Sequence, residues 1–356
     1  MLAGSPTSWS ACTKPCKEEM QIPSKEEVQG ALSQVLVPGV RRSLTQLNMI
    51  RAVEFSSDRL KVTLASTALD SAIQDWVQAK ARGVLEKLPE VNEVAIEFVE
   101  AKPQELNQIH HIIAVMSGKG GVGKSLVASL LAIGLSRQGY DVGILDADIT
   151  GPSIPRMFGM TTRPGGSNTG IMPVLSRSGI EIMSINLLLL HEDDAVIWRG
   201  PLIGNAIKQF WEEVLWGRLD YLLVDLPPGT ADAPLTVMQL LPLSGVIIAF
   251  TPQDLAAMVV RKAVQMAQKM NIPILGVVEN MTYLLLPDSG KRIEIFGRTK
   301  GQEMAMAARA PLLGQLPLDP ELARLCDEGE IERYDSDAFI ALSEAFSKAL
   351  PKGRES

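Results

Sequence analysis

The chain has 356 residues, of which 46% are hydrophobic, so it is long enough to bury a sizeable core in each of two domains. Its formal net charge of -7 argues against general nucleic-acid binding. No run of about 18 uninterrupted apolar residues occurs, so we expect no membrane-spanning helix. Three cysteines are too few for a disulfide framework and fit a reducing compartment, and we therefore expect a cytoplasmic protein.

The first hundred residues predict a tail followed by a small α+β domain. Residues 1–23 are rich in turn-forming residues and lack both periodicity and the apolar core of a signal peptide, so we expect a flexible tail. Within residues 24–100, Ser24 begins a capping box, and helical or alternating apolar spacing defines the elements that follow. The predicted helices lie at residues 24–36 and 71–88, and the predicted strands at residues 60–64 and 94–98.

After a predicted linker at residues 101–109, the pattern changes to apolar strands separated by helices. This rhythm predicts a mostly parallel α/β sheet flanked by helices, in one domain over residues 110–350, with a short tail at residues 351–356. Ligands of such sheets bind at the carboxyl ends of the strands, so polar residues there are the candidates for a site. The predicted strands lie at residues 112–116, 142–145, 180–185, 221–224, 246–250 and 274–278.

The first of these strands leads into a phosphate-binding loop with the pattern G-x-x-x-x-G-K-S. The loop consists of Gly118, Lys119, Gly120, Gly121, Val122, Gly123, Lys124 and Ser125. Its glycines let backbone N–H groups wrap a nucleotide's phosphates, Lys124 can reach the β and γ oxygens, and Ser125 can ligate Mg²⁺. The following helix points the positive end of its dipole at the same anion. We therefore predict a P-loop NTPase that binds ATP or GTP; the alternative is a glycine-rich turn without a ligand.

Two later strands end in aspartates that suit the same chemistry. Asp225 closes an apolar strand and fits the group that holds Mg²⁺ directly or through water. Gly229, four residues later, can offer its backbone N–H to the γ-phosphate and change conformation when that phosphate leaves. Asp148 is the candidate for orienting the attacking water. The alternative for either aspartate is a helix cap at a strand end.

The second lysine of the loop gives a family resemblance. G-K-G-G-V-G-K-S resembles the deviant phosphate loop of the MinD, ArsA and nitrogenase iron protein superfamily. In that resemblance Lys119 reaches across a homodimer to the partner's phosphates, where it acts like an arginine finger on the departing γ-phosphoryl group. The alternative is a solvated lysine on a loop.

Further motifs resemble one family within this group, the Mrp/ApbC-type iron-sulfur cluster carrier ATPases, over about residues 24–350. They are LNMI at residues 47–50, LDADITGPS at 145–153, WRGP at 198–201, LDYLLVDLPPGT at 219–230, VVENM at 277–281 and LPLDP at 316–320. The resemblance implies that Asn280 contacts adenine, which favours ATP over GTP, and that the loop with Asp319 closes over the base. It also implies a homodimer whose partners are iron-sulfur assembly proteins or apo-client proteins.

The chain departs from this family at the cysteines. The family carries Cys-Pro-x-Cys in a segment where two chains bind a bridging [4Fe-4S] cluster, but Leu286 and Ser289 stand at those positions here. Leucine cannot ligate iron and serine is a poor substitute for a thiolate, so the family's bridging [4Fe-4S] site is absent as written, and whether the chain binds a cluster elsewhere is left open. Cys12 and Cys16 could pool four thiolates in a dimer, or they are ordinary tail residues. Cys326 is expected to pack in a helix.

Three functions are compatible with these features. The leading hypothesis is a homodimeric ATPase that acts in iron-sulfur cluster assembly or transfer. The second is a cluster-free dimeric ATP switch that binds partner proteins, with the leucines at 284–286 as a contact surface. The third is membrane recruitment through an amphipathic helix at residues 337–350, but its polar face has few basic residues, which disfavours membrane binding.

Overall fold

The N-terminal unit is a three-stranded sheet with two helices. The computed structural model describes residues 23–56, 59–149, 151–188, 200–286 and 289–350. The strand at Arg59–Ala65 is the central one, antiparallel to the strand at Ile50–Ser56 and parallel to the strand at Glu93–Val99. In chain order the elements are α1 (Lys25–Leu32), β1 (Ile50–Ser56), β2 (Arg59–Ala65), α2 (Ser71–Leu85) and β3 (Glu93–Val99).

The capping box predicted at Ser24 is confirmed. The Ser24 hydroxyl accepts a hydrogen bond from the N–H of Glu27 at 3.1 Å, and the Glu27 carboxylate accepts one from the N–H of Ser24 at 2.7 Å. The helix ends at Leu32, four residues before the predicted end. β1 was not predicted, because a register shift between Ile50 and Ala52 interrupts the alternation on which strand prediction depends.

The remainder of the chain alternates strands with helices. Its first half contains α3 (Pro103–Leu106), β4 (Gln108–Met116), α4 (Lys124–Arg137), β5 (Val142–Asp146), α5 (Ile154–Met157), β6 (Gly166–Ser167), β7 (Gly170–Ile171), β8 (Val174–Leu175), β9 (Glu181–Ser184) and α6 (Gly200–Glu213). Its second half contains β10 (Arg218–Asp225), α7 (Asp232–Leu240), β11 (Gly245–Phe250), α8 (Asp254–Lys269), β12 (Ile274–Glu279), β13 (Leu284–Leu285), β14 (Arg292–Ile293), α9 (Gly301–Ala308), β15 (Leu312–Gln315), α10 (Pro320–Asp327) and α11 (Asp337–Ala349).

Eight of these strands form the central sheet in the order β15-β12-β11-β4-β10-β5-β9-β8. Every pairing is parallel except that of β8 with β9, so the predicted mostly parallel sheet is confirmed. All six predicted strands are present. β8 and β15 were not predicted because they have only two and four residues, and β15 contains Gly314, whose missing side chain leaves room for Leu342.

Helices cover both faces of the central sheet. α6, α7, α8 and α9 contribute to one hydrophobic cluster, and α4, α5, α10 and α11 contribute to the other. This three-layer arrangement explains why the central strands read as continuous apolar runs: both of their faces are buried. In the part of the chain that the structure describes, no helix is long and apolar enough to cross a membrane.

The N-terminal unit packs against the edge of the central sheet where β4, β5 and β10 begin. The N–H of Arg218 donates to the carbonyl of Gln46 at 2.8 Å. Gly217 has φ +62°, and a side chain there would lie 2.6 Å from the same carbonyl, so the contact depends on glycine. Met172 and Leu215 are buried in the hydrophobic cluster of the N-terminal unit. The two parts of the chain therefore share core residues as well as hydrogen bonds.

The segment predicted as a linker at residues 101–109 contains α3 and the beginning of β4. Asn107 fixes it to the central sheet, because its side-chain oxygen accepts the N–H groups of Trp216 at 2.8 Å and Gly217 at 3.0 Å. Its amide group donates to the carbonyl of Val214 at 2.9 Å. These hydrogen bonds hold the segment against the chain that leads into β10.

A buried arginine joins the two parts of the chain. Arg42 is 5% exposed, and its guanidinium lies 2.8 Å from the carboxylate of Glu181 and 3.4 Å from that of Asp141. It also donates to the carbonyl of Arg218 at 2.6 Å. Glu181 is 1% exposed, and burial raises its pKa to about 8, although the positive charge of Arg42 opposes the shift.

Candidate nucleotide-binding site

The predicted phosphate loop connects β4 to α4 at the carboxyl edge of the central sheet, between the ends of β10 and β11. Gly121 and Gly123 have φ of +76° and +79°, values that favour glycine. At Gly123 a side chain would also collide with the amide of Asn280, which lies directly against the loop. Glycine is therefore favoured at both positions by the backbone conformation, and at Gly123 also by the close packing of Asn280.

Four side chains of the predicted site come together beneath this loop. Lys124 is 5% exposed, and its Nζ lies 2.5 Å from Oδ1 of Asp225 and 3.5 Å from Oδ2 of Asp148. The Ser125 hydroxyl donates to Oδ2 of Asp225 at 2.5 Å. The hydroxyl and the carboxylate are hard oxygen donors of the kind that Mg²⁺ prefers, so this pair fits the metal that the motif implies.

Asp225 ends β10 in full burial. Burial raises the pKa of its carboxyl group above the usual range, whereas the charge of Lys124 and the hydrogen bonds from Lys124 and Ser125 act in the opposite direction. The ammonium group of Lys124 therefore lies directly beside the buried carboxyl group of Asp225 and opposes the cost of burying its charge.

Asp146 is a member of the site that we did not predict. It is fully buried, accepts hydrogen bonds from the Ser184 hydroxyl at 3.1 Å and the N–H of Asp148 at 3.2 Å, and thereby orients the Asp148 backbone. Burial and the neighbouring Asp225 raise its pKa to about 8. The sequence shows only that both strands end in aspartate, whereas the structure shows that Asp146 is the register partner of Asp225.

Gly229 lies on the other side of the loop, with φ +94°. Its N–H donates to the carbonyl of Ser117 at 3.0 Å. To donate to a γ-phosphate, the Gly229 N–H must first give up its hydrogen bond to Ser117. The hydrogen bond to the γ-phosphate stays a prediction.

Lys119 is held within its own chain. Its Nζ donates to the side-chain oxygen of Gln253, and its carbonyl accepts the hydroxyl of Ser117 at 2.9 Å. The reach of Lys119 to a partner's phosphates stays a prediction.

Asn280 and Asp319, the two residues predicted to contact the base, make hydrogen bonds to other residues of the chain. Asn280 is 1% exposed and donates its amide to the carbonyl of Val122 at 2.9 Å, so it supports the phosphate loop. Asp319 caps α10 by accepting the N–H of Glu321 at 2.9 Å, and its second oxygen accepts the Tyr334 hydroxyl at 2.8 Å. Both base contacts stay predictions.

The positions that lack the family's cysteines lie on a short antiparallel hairpin formed by β13 and β14. Leu286 follows β13 and donates its N–H to the carbonyl of Lys291 at 3.0 Å, and Ser289 lies in the turn between the two strands. Leu285 on the same hairpin is 49% exposed. The hairpin therefore presents leucine rather than thiolates.

Cys326 lies in α10, as expected for a packed helix residue, and burial raises its pKa to about 11. A thiol that keeps its proton at neutral pH is a poor metal ligand. Across the described ranges, no three His, Cys, Asp or Glu side chains are grouped so that they could hold a metal ion. Cys12, Cys16 and the first two residues of the WRGP motif, Trp198 and Arg199, lie outside the described residues.

Comparison with known proteins assigns the family. The family profile described as NUBPL iron-transfer P-loop NTPase, in the ParA group, matches residues 108–350. This chain belongs to that family. The resemblance inferred from the motifs is thus confirmed, and a second profile, for iron-sulfur cluster assembly proteins, matches residues 25–98.

Relatives named iron-sulfur cluster carrier proteins match most of the chain. An iron-sulfur cluster carrier protein from Aquifex aeolicus is 37% identical over 346 residues, which covers 88% of this chain and 94% of the relative. Another from Methanocaldococcus jannaschii is 46% identical over 233 residues, covering 65% and 80%. A solved structure, the nucleotide-binding protein from Archaeoglobus fulgidus in complex with ADP, is 47% identical, covers 67% of this chain and 94% of its own, and has a TM-score of 0.60.

Proposed function

We propose that this protein binds and hydrolyses ATP as a cytoplasmic homodimer and acts in iron-sulfur cluster assembly or transfer, with assembly proteins or apo-client proteins as partners. The observation that carries the ATPase proposal is the cluster of Lys124, Ser125, Asp148 and Asp225 beneath the phosphate loop. The part played in iron-sulfur metabolism rests on the family and on relatives named iron-sulfur cluster carrier proteins.

The site explains how the chain could promote hydrolysis. When ATP enters, Lys124 leaves Asp225 for the β- and γ-phosphates. Ser125 and Asp225 would then hold Mg²⁺, which would supply positive charge that neutralises the phosphates. The N–H groups of the loop and the amino end of α4 bind the phosphates. Asp148, oriented through its backbone by Asp146, accepts a hydrogen bond from water and directs it at the γ-phosphorus.

Gly229 provides a way to convert hydrolysis into a change of shape. With ATP bound, its N–H can exchange the carbonyl of Ser117 for the γ-phosphate. After the phosphate leaves, the bond to Ser117 can form again, as it stands in the structure at 3.0 Å. The conformation of the segment after β10 would thus depend on whether the γ-phosphate is present.

The hairpin does not fit a bridging cluster in this chain. Leu286 offers no ligand atom and Ser289 offers a hydroxyl, so we derive no step that passes through iron at this place. If the protein carries a cluster as cargo, Cys12 and Cys16 are the pair of thiols available to ligate it. The second candidate function, a cluster-free ATP switch that binds partner proteins, is favoured by the exposed Leu285, which lies on the same hairpin beside Leu286, one of the two positions that lack the family's cysteines.

Anaerobic reconstitution with iron and sulfide separates these functions. The unmodified protein should retain well below four irons per dimer, whereas a variant with Leu286→Cys and Ser289→Cys should gain a brown chromophore and about four irons per dimer. Cys326→Ser is the control and should match the unmodified protein. If the unmodified protein binds four irons and loses them in a Cys12→Ser, Cys16→Ser variant, the tail holds the cluster and the cluster-free switch is wrong.

A further inference from the structure

Both the backbone and the side chain of Lys119 are fixed within one chain. The Ser117 hydroxyl donates to the Lys119 carbonyl at 2.9 Å, and the Lys119 ammonium donates to the side-chain oxygen of Gln253, a residue 134 positions later. A lysine bound in this way does not extend from the surface of its own chain.

The fold, rather than a chance surface contact, brings Gln253 to the loop. β11 is the parallel neighbour of β4, with Ile248 in register with Met116, so the chain that leaves β11 runs beside the start of the phosphate loop. Pro252 restricts the backbone just before Gln253. Gln253 is the residue that precedes α8, yet its side chain makes no capping hydrogen bond. The side-chain amide of Gln253 therefore accepts a hydrogen bond from Lys119 and does not cap α8.

The chemistry of the pair suits a reversible contact. A neutral amide oxygen binds an ammonium group more weakly than a carboxylate does, because the bond lacks the attraction between two opposite charges. Lys119 can thus be held in the single chain and still be released. The same lysine cannot contact Gln253 and extend to the phosphates of a second chain at once.

We propose that Gln253 is a positioning residue that holds Lys119 in the resting chain, so that the homodimer forms only when this hydrogen bond is given up. This inference rests on the role of Lys119 in the proposed function. Gln253 then sets the protein concentration at which the ATP-bound dimer, and with it hydrolysis, appears.

The expected size of the effect follows from the symmetry of the dimer. Because solvent weakens this partly exposed contact, we assign it the strength of an average hydrogen bond, which shifts an equilibrium by about fivefold. Because two lysines must be released in each dimer, removing the contact should tighten the apparent dimer dissociation constant by about 25-fold. A carboxylate at the same position should weaken dimerisation by at least tenfold, since the charged pair is stronger.

The test measures ATP hydrolysis against protein concentration for Gln253→Ala and Gln253→Glu, together with sedimentation of each protein in a non-hydrolysable ATP analogue. Gln253→Ala should shift the midpoint of activation and of dimerisation to lower concentration, and Gln253→Glu should shift both to higher concentration. Gln265→Ala, which changes an exposed glutamine of α8, is the matched control and should leave both midpoints unchanged. A purely structural role would lower activity in both Gln253 variants instead of moving them in opposite directions.

Lys119→Ala separates failure of this inference from failure of the proposed function. If Lys119→Ala hydrolyses ATP at the unmodified rate, the role of Lys119 across the dimer is wrong. If Lys119→Ala is inactive but both Gln253 variants keep the midpoint of the Gln265→Ala control, Gln253 does not control Lys119 and only this inference is overturned. In the Lys119→Ala background, Gln253→Ala should have no further effect on dimerisation, because the two residues act through one contact.

Discussion

Replacing Glu181 by glutamine should stabilise the fold by an amount that grows as the pH rises. Glu181 is 1% exposed, and its pKa rises from 4.5 to about 8 on folding because burial disfavours the charged form. Between these two pH values the folded chain holds a proton that the unfolded chain releases. Raising the pH therefore favours unfolding, so stability present below pH 4.5 is lost as the pH rises toward 8.

The magnitude follows from the size of this shift. Each unit of pKa difference corresponds to about 1.36 kcal/mol, so the full shift sets an upper limit of about 5 kcal/mol on the loss in the unmodified protein. Glutamine keeps the shape of the side chain and cannot ionise. The gap in unfolding free energy between Glu181→Gln and the unmodified protein should therefore widen by about 3 kcal/mol between pH 5.5 and pH 8.

Urea unfolding followed by far-ultraviolet circular dichroism at several pH values measures this gap. Asp141→Asn is the control, because Asp141 contacts the same arginine, Arg42, but its side chain is 46% exposed. That change should alter stability by less than about 1 kcal/mol at every pH. A gap for Glu181→Gln that stays constant or narrows toward pH 8 would refute the reasoning and show that Arg42 keeps Glu181 ionised.

Three further changes test the nucleotide site. Lys124→Ala should abolish ATP hydrolysis measured by phosphate release, because this lysine compensates phosphate charge throughout the reaction; hydrolysis at the unmodified rate would refute the site assignment. Asp148→Asn should retain ATP affinity but lose hydrolysis by about two to four decades, since the amide cannot orient water as the carboxylate does; parallel loss of affinity and turnover would indicate a structural role. Gly123→Ala should weaken nucleotide binding in equilibrium titrations, because alanine disfavours φ +79° and its methyl group would collide with Asn280; unchanged affinity would show that the loop can adopt another conformation.

The sequence by itself determined the features that depend on neighbouring residues. The phosphate loop is a continuous run of eight residues between a strand and a helix, and its glycines are required by local backbone conformation. Six of the eight strands of the central sheet were predictable because burial on both faces makes them short segments of mostly apolar residues. Asp148 and Asp225 could be proposed because parallel strands bring their carboxyl ends to one edge of the sheet.

Other features were decided only by the tertiary structure. Gln253 lies 134 residues from Lys119, and Asp146 became part of the site only when its strand paired with the strand that ends in Asp225. Likewise, nothing in the sequence around Arg42 shows that it would be buried beside Glu181, a carboxylate of the central sheet. Local patterns record the conformation and burial of their own segment, whereas hydrogen bonds and pKa values depend on which distant side chains the fold brings within a few ångströms.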